Sequence, residues 1–331
     1  MTGRFSEFHD ELRSVAGDLL AKEGTADWSV LVDAGWTGLE VPDSLGGAGA
    51  TFVETAVILE QIGRAAGANS YLGSAVLAVG ALNMLPANAL RDELLGAVAA
   101  GPGRLAVVPH GFVVDGGRLT GRADFVPDAD GADRLLVLVD GAAAVVDAAQ
   151  MTVTKQPVVD QTRQLATVTA DAAEITGLLE FDGDPESVRH RAEVAIACDS
   201  LGLAAQMLSD TVDYVKVRHQ FGCPIGSFQV VKHACADMLV AVEMSRRLVS
   251  DAVGILADGG DAAVAAAMAK SYACSAAVTV AGKAMQLHGG IGYTWESGIH
   301  VYLKRATLNR SLFGSPAAQR KRLSQRYSKG K

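Results

Sequence analysis

Long uncharged apolar runs are missing from this chain of 331 residues, although 49% of its residues are hydrophobic. No such run approaches the roughly 20 residues that span a bilayer. The N-terminal segment MTGRFSEFHDELRS also lacks the basic flank and apolar core of a signal peptide. We therefore expect a soluble, cytoplasmic protein whose size allows two or three cooperating domains.

Charge and cysteine are also sparse. Only 20% of the residues are charged and the formal net charge is -8, which argues against a general attraction to nucleic acid or anionic lipid. The basic tail RKRLSQRYSKGK is predicted to be a solvated helix end. The four cysteines, Cys198, Cys223, Cys235 and Cys274, show neither paired metal-ligand spacing nor a disulfide framework. They are predicted to be buried free thiols, with no metal site.

The hydrophobic pattern divides the chain into a helical region at 1–102, a small β region at 103–182 and a second helical region at 183–331. In the first region, Thr51 and Glu54 have the spacing of a capping box. The side chains that follow on one helix face are Phe52, Ala56, Leu59 and Ile62. Short Val- and Leu-rich runs separated by Gly, Asp and Pro turns predict the strands.

Helix restarts near residue 184, where Asp184 suits the N-cap and Pro185 the first helical position. The later positions that repeat at helical spacing are Val231, Cys235, Met238 and Val242. An alanine-rich run at 261–290 supplies another long helix ended by glycines. These features predict an antiparallel bundle.

The segment RHQFGCPIGSFQ at 218–229 interrupts two helical runs. Arg218 can pair with a phosphate, Gly222 and Gly226 leave the backbone accessible, and Gln229 offers an amide at the next helix start. From spacing alone, a sharp interhelical turn with a surface arginine is the favoured explanation. A second glycine cluster, QLHGGIGYTWE, begins at Gln286, has the wrong spacing for a dinucleotide fingerprint, and is explained by a glycine C-cap.

Taken together, these two segments and the early segment GWTGLEVPDSLGGAGATFVETAVILEQIGRA resemble the acyl-CoA dehydrogenase family over nearly the whole chain. The resemblance implies an α+β fold with an N-terminal helical domain, a small middle β domain and a C-terminal four-helix bundle. It also implies FAD-dependent α,β-desaturation of an acyl-CoA, in which a carboxylate takes the α proton and the flavin accepts the β hydride. The expected assemblies are dimers or dimers of dimers.

The same resemblance implies that FAD is shared across a subunit interface, its ADP half contacting this chain's C-terminal domain. The residues that match the two contact segments are Arg218, Gln220, Phe221, Ile225, Phe228, Gln229, Gln286 and Gly290. A pyrophosphate needs a cation and close backbone approach, whereas adenine and ribose accept apolar and amide contacts. The chemistry of these residues agrees with that assignment.

The β region departs from the family pattern. A segment like TEPxAGSD is missing, and Phe125 occupies the position of a tryptophan that the family follows with Ser or Thr. This chain's own isoalloxazine cradle is therefore in doubt. Asp128, Asp130 and Asp133 do not form a calcium loop, because the twelfth position is Val139; a solvated turn is expected there.

The catalytic base is also missing from its usual position, where alignment places Phe313, which cannot accept a proton. An alternative position in the family corresponds to Ala192. Glu193 is adjacent, but one residue along a helix is a rotation of about 100°. A one-residue alignment error would make Glu193 the base, whereas an exposed helix carboxylate is the simpler interpretation. Other acid–base candidates lack an evident orienting partner: His288, Glu296 and His300.

The leading hypothesis is a subunit of a heteromeric acyl-CoA dehydrogenase, similar to actinobacterial enzymes of steroid side-chain degradation. A second dehydrogenase-like chain, here called the sister chain, would supply the base and flavin cradle in an α2β2 heterotetramer. Two alternatives stay open: a self-sufficient homomeric enzyme whose base is Glu193 or another, unrecognised carboxylate, and a flavin-free structural or regulatory relative.

Overall fold

The N-terminal region is helical, as predicted. The structure is a computed structural model that describes residues 8–23 and 25–328. The helices of this region are α1 (His9–Glu23), α2 (Trp28–Asp33), α3 (Phe52–Ala65), a π-helix (Leu72–Ala78), α4 (Val79–Asn83) and α5 (Ala89–Ala100). The capping box of α3 is confirmed, because the Thr51 amide donates to Glu54 Oε2 at 2.9 Å and the Val53 amide donates to Thr51 Oγ1 at 3.2 Å.

The π-helix is stabilised by a buried cation. A π-helix shifts the backbone hydrogen bonds by one residue, which leaves carbonyls to be satisfied from elsewhere. Arg191 Nε donates to the Val76 carbonyl at 2.8 Å, and its guanidinium pairs with Glu40 and lies 4.4 Å from the centroid of the Phe52 ring. Gly80 makes room for this arginine, since a Cβ there would lie 2.1 Å from Arg191 Nε.

The β region contains two four-stranded sheets with orders β1-β4-β5-β8 and β2-β3-β7-β6. Their strands are β1 (Leu105–Val108), β2 (Phe112–Asp115), β3 (Arg118–Pro127), β4 (Arg134–Val139), β5 (Ala142–Asp147), β6 (Thr152–Lys155), β7 (Leu165–Glu174) and β8 (Gly177–Glu180). Only the β1–β4 pair is parallel among the described strands. The apolar run at β4 is buried on both faces and pairs with β5, so the Val- and Leu-rich runs form the core of this region.

The C-terminal region is a helical bundle, as predicted. Its elements are α6 (Glu186–Val217), β9 (His219–Gln220), β10 (Cys223–Pro224), α7 (Gln229–Ala257), α8 (Ala263–His288), α9 (Ile299–Ser311) and α10 (Pro316–Ser328). The Asp184 carboxylate accepts a hydrogen bond from the Glu186 amide at 2.9 Å, which confirms the predicted cap of α6. Helices α7, α9 and α10 all contact α8, the alanine-rich centre of the bundle.

Contact density divides the chain into two compact units. One contains Thr25–Thr55 and Ala68–Ala192, and the other contains Ala56–Gly67 and the chain from Glu193 onward. The domain borders predicted at 102 and 182 stay predictions. Among the described residues, one segment, Ala263–Tyr293, is long and apolar enough to cross a membrane by composition, and 56% of its most apolar window is buried in the fold.

The second unit has a buried ionic network. Arg305 and Asp199 are each 1% exposed, and Arg305 Nη2 lies 2.6 Å from Asp199 Oδ1. Arg305 Nη1 also donates to the Gly67 carbonyl at 3.0 Å, and Asn309 Nδ2 donates to Asp199 Oδ2 at 2.5 Å. Because a buried charge needs a partner, this network fixes α9 against α6 and the end of the α3 segment.

The cysteines are free, as predicted, but only two are buried. Cys198 and Cys274 lie in the core, where burial raises the pKa of both thiols. Cys223 and Cys235 are partly exposed, so the prediction of burial is wrong for them. Cys223 lies in the turn between α6 and α7, and Cys235 lies in the second turn of α7. Neighbouring residues cover these two side chains less completely than those in the core.

Candidate functional site

The segment 218–229 forms a tight hairpin between α6 and α7. Gln220 pairs with Cys223, and the two residues between them, Phe221 and Gly222, have φ values of +53° and +78°. Positive φ at both central positions defines a type I′ turn, which costs little at glycine but is strained at phenylalanine. The Ile225 amide donates to the Arg218 carbonyl at 2.8 Å and closes the loop.

This segment exposes to solvent four of its six predicted ADP-contact residues. Arg218, Gln220 and Gln229 are exposed, and Phe221 is 90% exposed. A large apolar ring that is almost fully exposed on a strained turn indicates a surface that binds a ligand or another protein chain. The two other predicted contacts of this segment pack beneath the turn: Phe228 is half-buried, with its ring 6.1 Å from that of Phe221, and Ile225 is buried.

The second glycine segment lies at the same end of the bundle. Gln286 is exposed in the last turn of α8, and Gly289 has φ +61° and ψ −139°, a conformation that only glycine adopts readily. The Tyr214 ring, near the end of α6, stacks on His288 at 4.2 Å, and Tyr214 Oη donates to the His288 carbonyl at 3.3 Å. This contact brings the ends of α6 and α8 together, so Gly290 and the hairpin share one end of the unit.

Sequence reasoning missed Tyr214, and it also missed Trp295. The Trp295 side chain is 73% exposed, with Lys304 Nζ 5.0 Å above its ring and His300 at its edge. Tyr293, between Gly290 and Trp295, is 71% exposed. The two exposed aromatic residues in GGIGYTWES, Tyr293 and Trp295, are the signal that could have shown that the exposed surface continues beyond Gly290.

The two segments fit the ADP half of FAD. They combine one exposed guanidinium, side-chain amides and an exposed aromatic ring with accessible glycine backbone, the donor set that a pyrophosphate, a ribose and an adenine require. We refer to Arg218, Gln220, Phe221, Ile225, Phe228, Gln229, Gln286 and Gly290 as the half-site.

The β region fits a flavin ring less well. Phe125 is 53% exposed with φ +60°, at a register shift between β3 and β7, and its amide donates to Gln156 Oε1 at 2.8 Å. The neighbouring Asp124 carboxylate accepts hydrogen bonds from Thr167 and Arg122, and these lower the pKa of Asp124. The position expected for an indole therefore carries a phenyl ring beside a carboxylate that stays charged.

Two of the three aspartates after β3 accept hydrogen bonds from backbone amides. Asp128 is buried and accepts a hydrogen bond from the Gly73 amide at 2.7 Å, so a fully solvated turn is the wrong description for it. Asp133 accepts from the Arg104 amide at 2.7 Å, and Asp130 is exposed. Within residues 8–23 and 25–328, no group of three or more His, Cys, Asp or Glu side chains could hold a metal ion.

The turn at Phe313, where the sequence comparison predicted the position of the base, is held by hydrogen bonds to its backbone. Phe313 is half-buried with φ +56°, and its carbonyl accepts from Gln319 Nε2 at 3.1 Å. Lys270, fully buried in α8, donates from Nζ to the carbonyls of Asn309 at 2.8 Å and Gly314 at 3.1 Å. This lysine fixes the turn through hydrogen bonds to its backbone and supplies no proton acceptor.

Glu193 is not the exposed helix carboxylate that we expected. It is 0% exposed, Arg322 Nη1 lies 2.5 Å from its Oε1, and Gln319 Nε2 donates to the same oxygen at 3.0 Å. A general base must reach the proton that it takes, and this carboxylate is enclosed by α10 and paired there with Arg322. Ala192 is also buried and carries no functional group.

The other acid–base candidates have structural roles or lie on the surface. His288 is buried, and its Nδ1 donates to the Ala284 carbonyl at 2.8 Å within α8. His300 packs against Trp295, and Glu296 is exposed to solvent. None of the three is brought beside Phe313 by a contact in the described part of the chain.

Comparisons with known proteins agree with this architecture. Family models match at residues 7–102, for the acyl-CoA dehydrogenase N-terminal domain, and at residues 190–328, for the acyl-CoA dehydrogenase C-terminal domain. The chain is 32% identical over 297 residues to acyl-CoA dehydrogenase IpdE2 of Mycolicibacterium smegmatis, covering 89% of this chain and 86% of that protein.

Two solved structures extend the likeness to the whole fold. A variant of the Tcur3481–Tcur3483 steroid ACAD superposes with a TM-score of 0.90 at 28% identity, covering 98% of this chain and 99% of that chain. The ChsE4–ChsE5 complex from Mycobacterium tuberculosis gives a TM-score of 0.87 at 24% identity, covering 97% of each chain, and is similar in fold. With its helical, β and helical regions and its two matched domains, the chain belongs to the acyl-CoA dehydrogenase family of FAD-dependent oxidoreductases.

Proposed function

We propose that this chain is a subunit of a heteromeric FAD-dependent acyl-CoA dehydrogenase and has no catalytic base of its own. It contributes the half-site to a flavin held mainly by a sister chain, in a cytoplasmic α2β2 heterotetramer. The substrate class is a steroid-derived acyl-CoA, desaturated between its α and β carbons. The relatives named for a steroid ACAD and for a two-component complex support this proposal.

One observation carries the proposal: Phe313 stands where we expect the family's base, while most side chains of the half-site, beside Tyr214 and His288, are exposed. Glu193, the nearest alternative, is enclosed by Arg322 and Gln319. A chain that keeps an ADP-binding surface and lacks a proton acceptor is explained if another subunit performs the proton transfer.

When bound, FAD supplies the acceptor for the β hydride. The residues of this chain bind and orient the ADP half of that cofactor. The Arg218 guanidinium would pair with the pyrophosphate, and the amides of Gln220 and Gln229 would donate to sugar or base. The Phe221 ring offers a stacking surface, and the contact of Tyr214 with His288 keeps the two segments at a fixed separation.

The test is the flavin content of the complex purified with its sister chain. Replacing Arg218 by Gln removes one charged hydrogen-bonding group, worth about 1.5–3 kcal/mol, so the Kd for FAD should rise by roughly 10- to 150-fold. The matched control is Arg247→Gln, since Arg247 is also exposed and pairs across its own helix surface with Asp251. The control should leave the flavin content unchanged.

Two results would contradict the proposal. Full flavin loading of this chain purified without a sister chain, together with turnover, would indicate a self-sufficient enzyme. An Arg218→Gln complex that keeps its FAD affinity would show that the exposed hairpin does not contact the cofactor, and would favour a flavin-free role for this subunit.

A further inference from the structure

The loop between α8 and α9 carries a second exposed surface that begins just after the half-site. Three large side chains alternate along it: Ile291 is 45%, Tyr293 71% and Trp295 73% exposed. The other two tryptophans of the chain, Trp28 and Trp36, are 6% and 3% exposed. A single apolar side chain on a surface is ordinary, whereas a group of large ones marks a binding surface.

This loop is held in one conformation by its own hydrogen bonds. The Thr294 amide and hydroxyl both donate to the Ile291 carbonyl at 3.0 Å, and the Gly298 amide donates to the Trp295 carbonyl at 3.2 Å. Gly298 has φ +66°, a left-handed conformation that favours glycine where the chain turns into α9. Because the loop is already ordered, its exposed rings lose little conformational freedom when a ligand binds to them.

Helix α9 places a cation against the Trp295 ring. Lys304 Nζ lies 5.0 Å from the centroid of the indole, and the His300 ring packs on the same indole with centroids 4.4 Å apart. His300 and Lys304 are four positions apart on α9 and therefore lie on one face of the helix. Lys304 forms no ion pair within the described part of the chain, so its charge is available to a ligand.

We propose that Trp295, Lys304 and His300 form a binding site for the adenosine phosphate group of a nucleotide. The purine stacks on the exposed indole, a phosphate pairs with the Lys304 ammonium, and His300 fixes the orientation of the indole. Aromatic stacking and a nearby cation are the interactions that bind a base together with its phosphate. The source of the nucleotide rests on the proposed function, because FAD and an acyl-CoA both contain an adenosine phosphate group.

Glu296 determines which way the nucleotide lies. It is exposed on the same loop, and hydrogen bonds with its own amide and with Thr294 lower the pKa of its carboxyl, so it stays charged. A phosphate is repelled by this carboxylate and attracted by Lys304, so the phosphate lies on the lysine side of the indole. An inorganic phosphate, which has no ring to stack, uses only the lysine.

A nucleotide suits this surface better than an apolar surface of another protein does. The indole is accompanied by the unpaired Lys304 and bordered by Glu296. An apolar partner would remove both charges from water without pairing them, which is unfavourable. An adenosine phosphate pairs with Lys304 and leaves Glu296 in water.

Isothermal titration calorimetry of the purified chain with ADP tests the site. Trp295→Leu removes the stacking surface and should weaken ADP binding about 5- to 150-fold, the range for the loss of one stack between a base and an aromatic side chain. Trp295→Phe keeps a ring and should keep most of the affinity. The matched control is Tyr272→Leu, which removes another exposed aromatic ring, on α8, and should leave ADP binding unchanged.

Charge variants test the phosphate contact. Lys304→Gln should weaken the binding of ADP and leave the binding of adenosine unchanged, because adenosine has no phosphate. Glu296→Gln should strengthen ADP binding, because it removes a like charge. The control is Lys155→Gln, since Lys155 is an exposed lysine on β6, and it should leave both affinities unchanged.

The source of the nucleotide is distinguished by stoichiometry and by tryptophan emission. Because Trp28 and Trp36 are buried, iodide quenches mainly Trp295, and a bound nucleotide should protect it. If the site serves an acyl-CoA, the chain binds two molecules of ADP, one lost in Arg218→Gln and the other in Trp295→Leu, and CoA protects Trp295 from iodide. If it serves FAD, the chain binds one ADP, which both substitutions weaken.

Three results would overturn the inference. One is ADP binding that Arg218→Gln weakens and Trp295→Leu does not, which would leave the proposed function standing. Another is failure of ADP, adenosine 3′,5′-bisphosphate and CoA to protect Trp295 from iodide. The third is protection of Trp295 by the sister chain alone, which would identify the loop as a protein contact. ADP binding that only Trp295→Leu weakens would support this site and contradict the half-site.

Discussion

The pair formed by Glu193 and Arg322 provides the sharpest test of whether this chain has a base. Glu193 is 0% exposed, whereas the Arg322 side chain is 27% exposed and can turn towards water. In Glu193→Gln the new side chain still accepts a hydrogen bond from Gln319, and the released arginine can be solvated. We therefore expect a loss of only about 1–2 kcal/mol, below the roughly 3–5 kcal/mol of a fully trapped pair.

The reverse change should cost more. Arg322→Gln leaves the Glu193 carboxylate enclosed without its guanidinium partner, so the loss should approach about 3–5 kcal/mol. Thermal unfolding of the purified complex measures both variants, and each kcal/mol corresponds to a Tm change of about 2–4 °C for domains of this size. The kcat for acyl-CoA desaturation should stay within about twofold of wild type in Glu193→Gln, because a structural ion pair transfers no proton.

The reasoning is refuted by the opposite pattern. If Glu193→Gln keeps the wild-type Tm and lowers kcat by about 10²- to 10⁴-fold, the range of general base catalysis, then Glu193 is the base. Equal destabilisation by the two substitutions would contradict the unequal burial of the partners.

Three further predictions concern stability. Asp199→Asn removes the partner charge of Arg305, which is 1% exposed, and should lower the free energy of unfolding by about 3–5 kcal/mol in urea titration; a loss below 1 kcal/mol would contradict the buried network. Gly202→Ala places a Cβ 2.0 Å from the Glu60 carbonyl oxygen and should cost about 1–3 kcal/mol, whereas Gly254→Ala, with nothing within 4 Å, should gain up to about 1 kcal/mol; the same sign for both would be inconsistent with close helix approach. Burial acts to raise the pKa of Glu54, but hydrogen bonds with the His9 and Thr51 side chains outweigh it and lower that pKa, so this group stabilises the fold above the unfolded pKa and the stabilisation is lost as pH falls. Glu54→Gln should therefore reduce the acid dependence of the urea midpoint between about pH 5 and pH 3, and an unchanged acid dependence would exclude this contribution.

Local features of the sequence predicted local structure well. The capping box of Thr51 and Glu54, the cap at Asp184 and the strand runs depend on residues within a few positions of each other, so a single stretch of chain contains the information. The resemblance to acyl-CoA dehydrogenases depended on short segments whose residue types are constrained by turn geometry and phosphate chemistry. These are properties that one sequence displays directly.

The environment of the acid–base candidates was not predictable in this way. Glu193 and Arg322 are separated by 129 positions, so no periodicity indicates that the carboxylate is buried. Cys223 and Cys235 were expected to be buried because free cysteines usually are, but Cys223 lies in the turn before α7 and Cys235 in α7 itself, and both are partly exposed. In each case the exposure of the side chain depends on how many residues from other parts of the fold pack around it, and the residue type does not determine that.

The sequence alone determined the order of helices and strands, the presence of two glycine turns and the absence of a proton acceptor at Phe313, because these depend on residue identity and short-range geometry. Only the tertiary structure decided that α10 encloses Glu193, that Lys270 fixes the turn at Phe313, and that Tyr214 and His288 bring the two segments of the half-site together. Those contacts join residues far apart in the chain, and they form because packing of the whole bundle outweighs the local preferences of each segment.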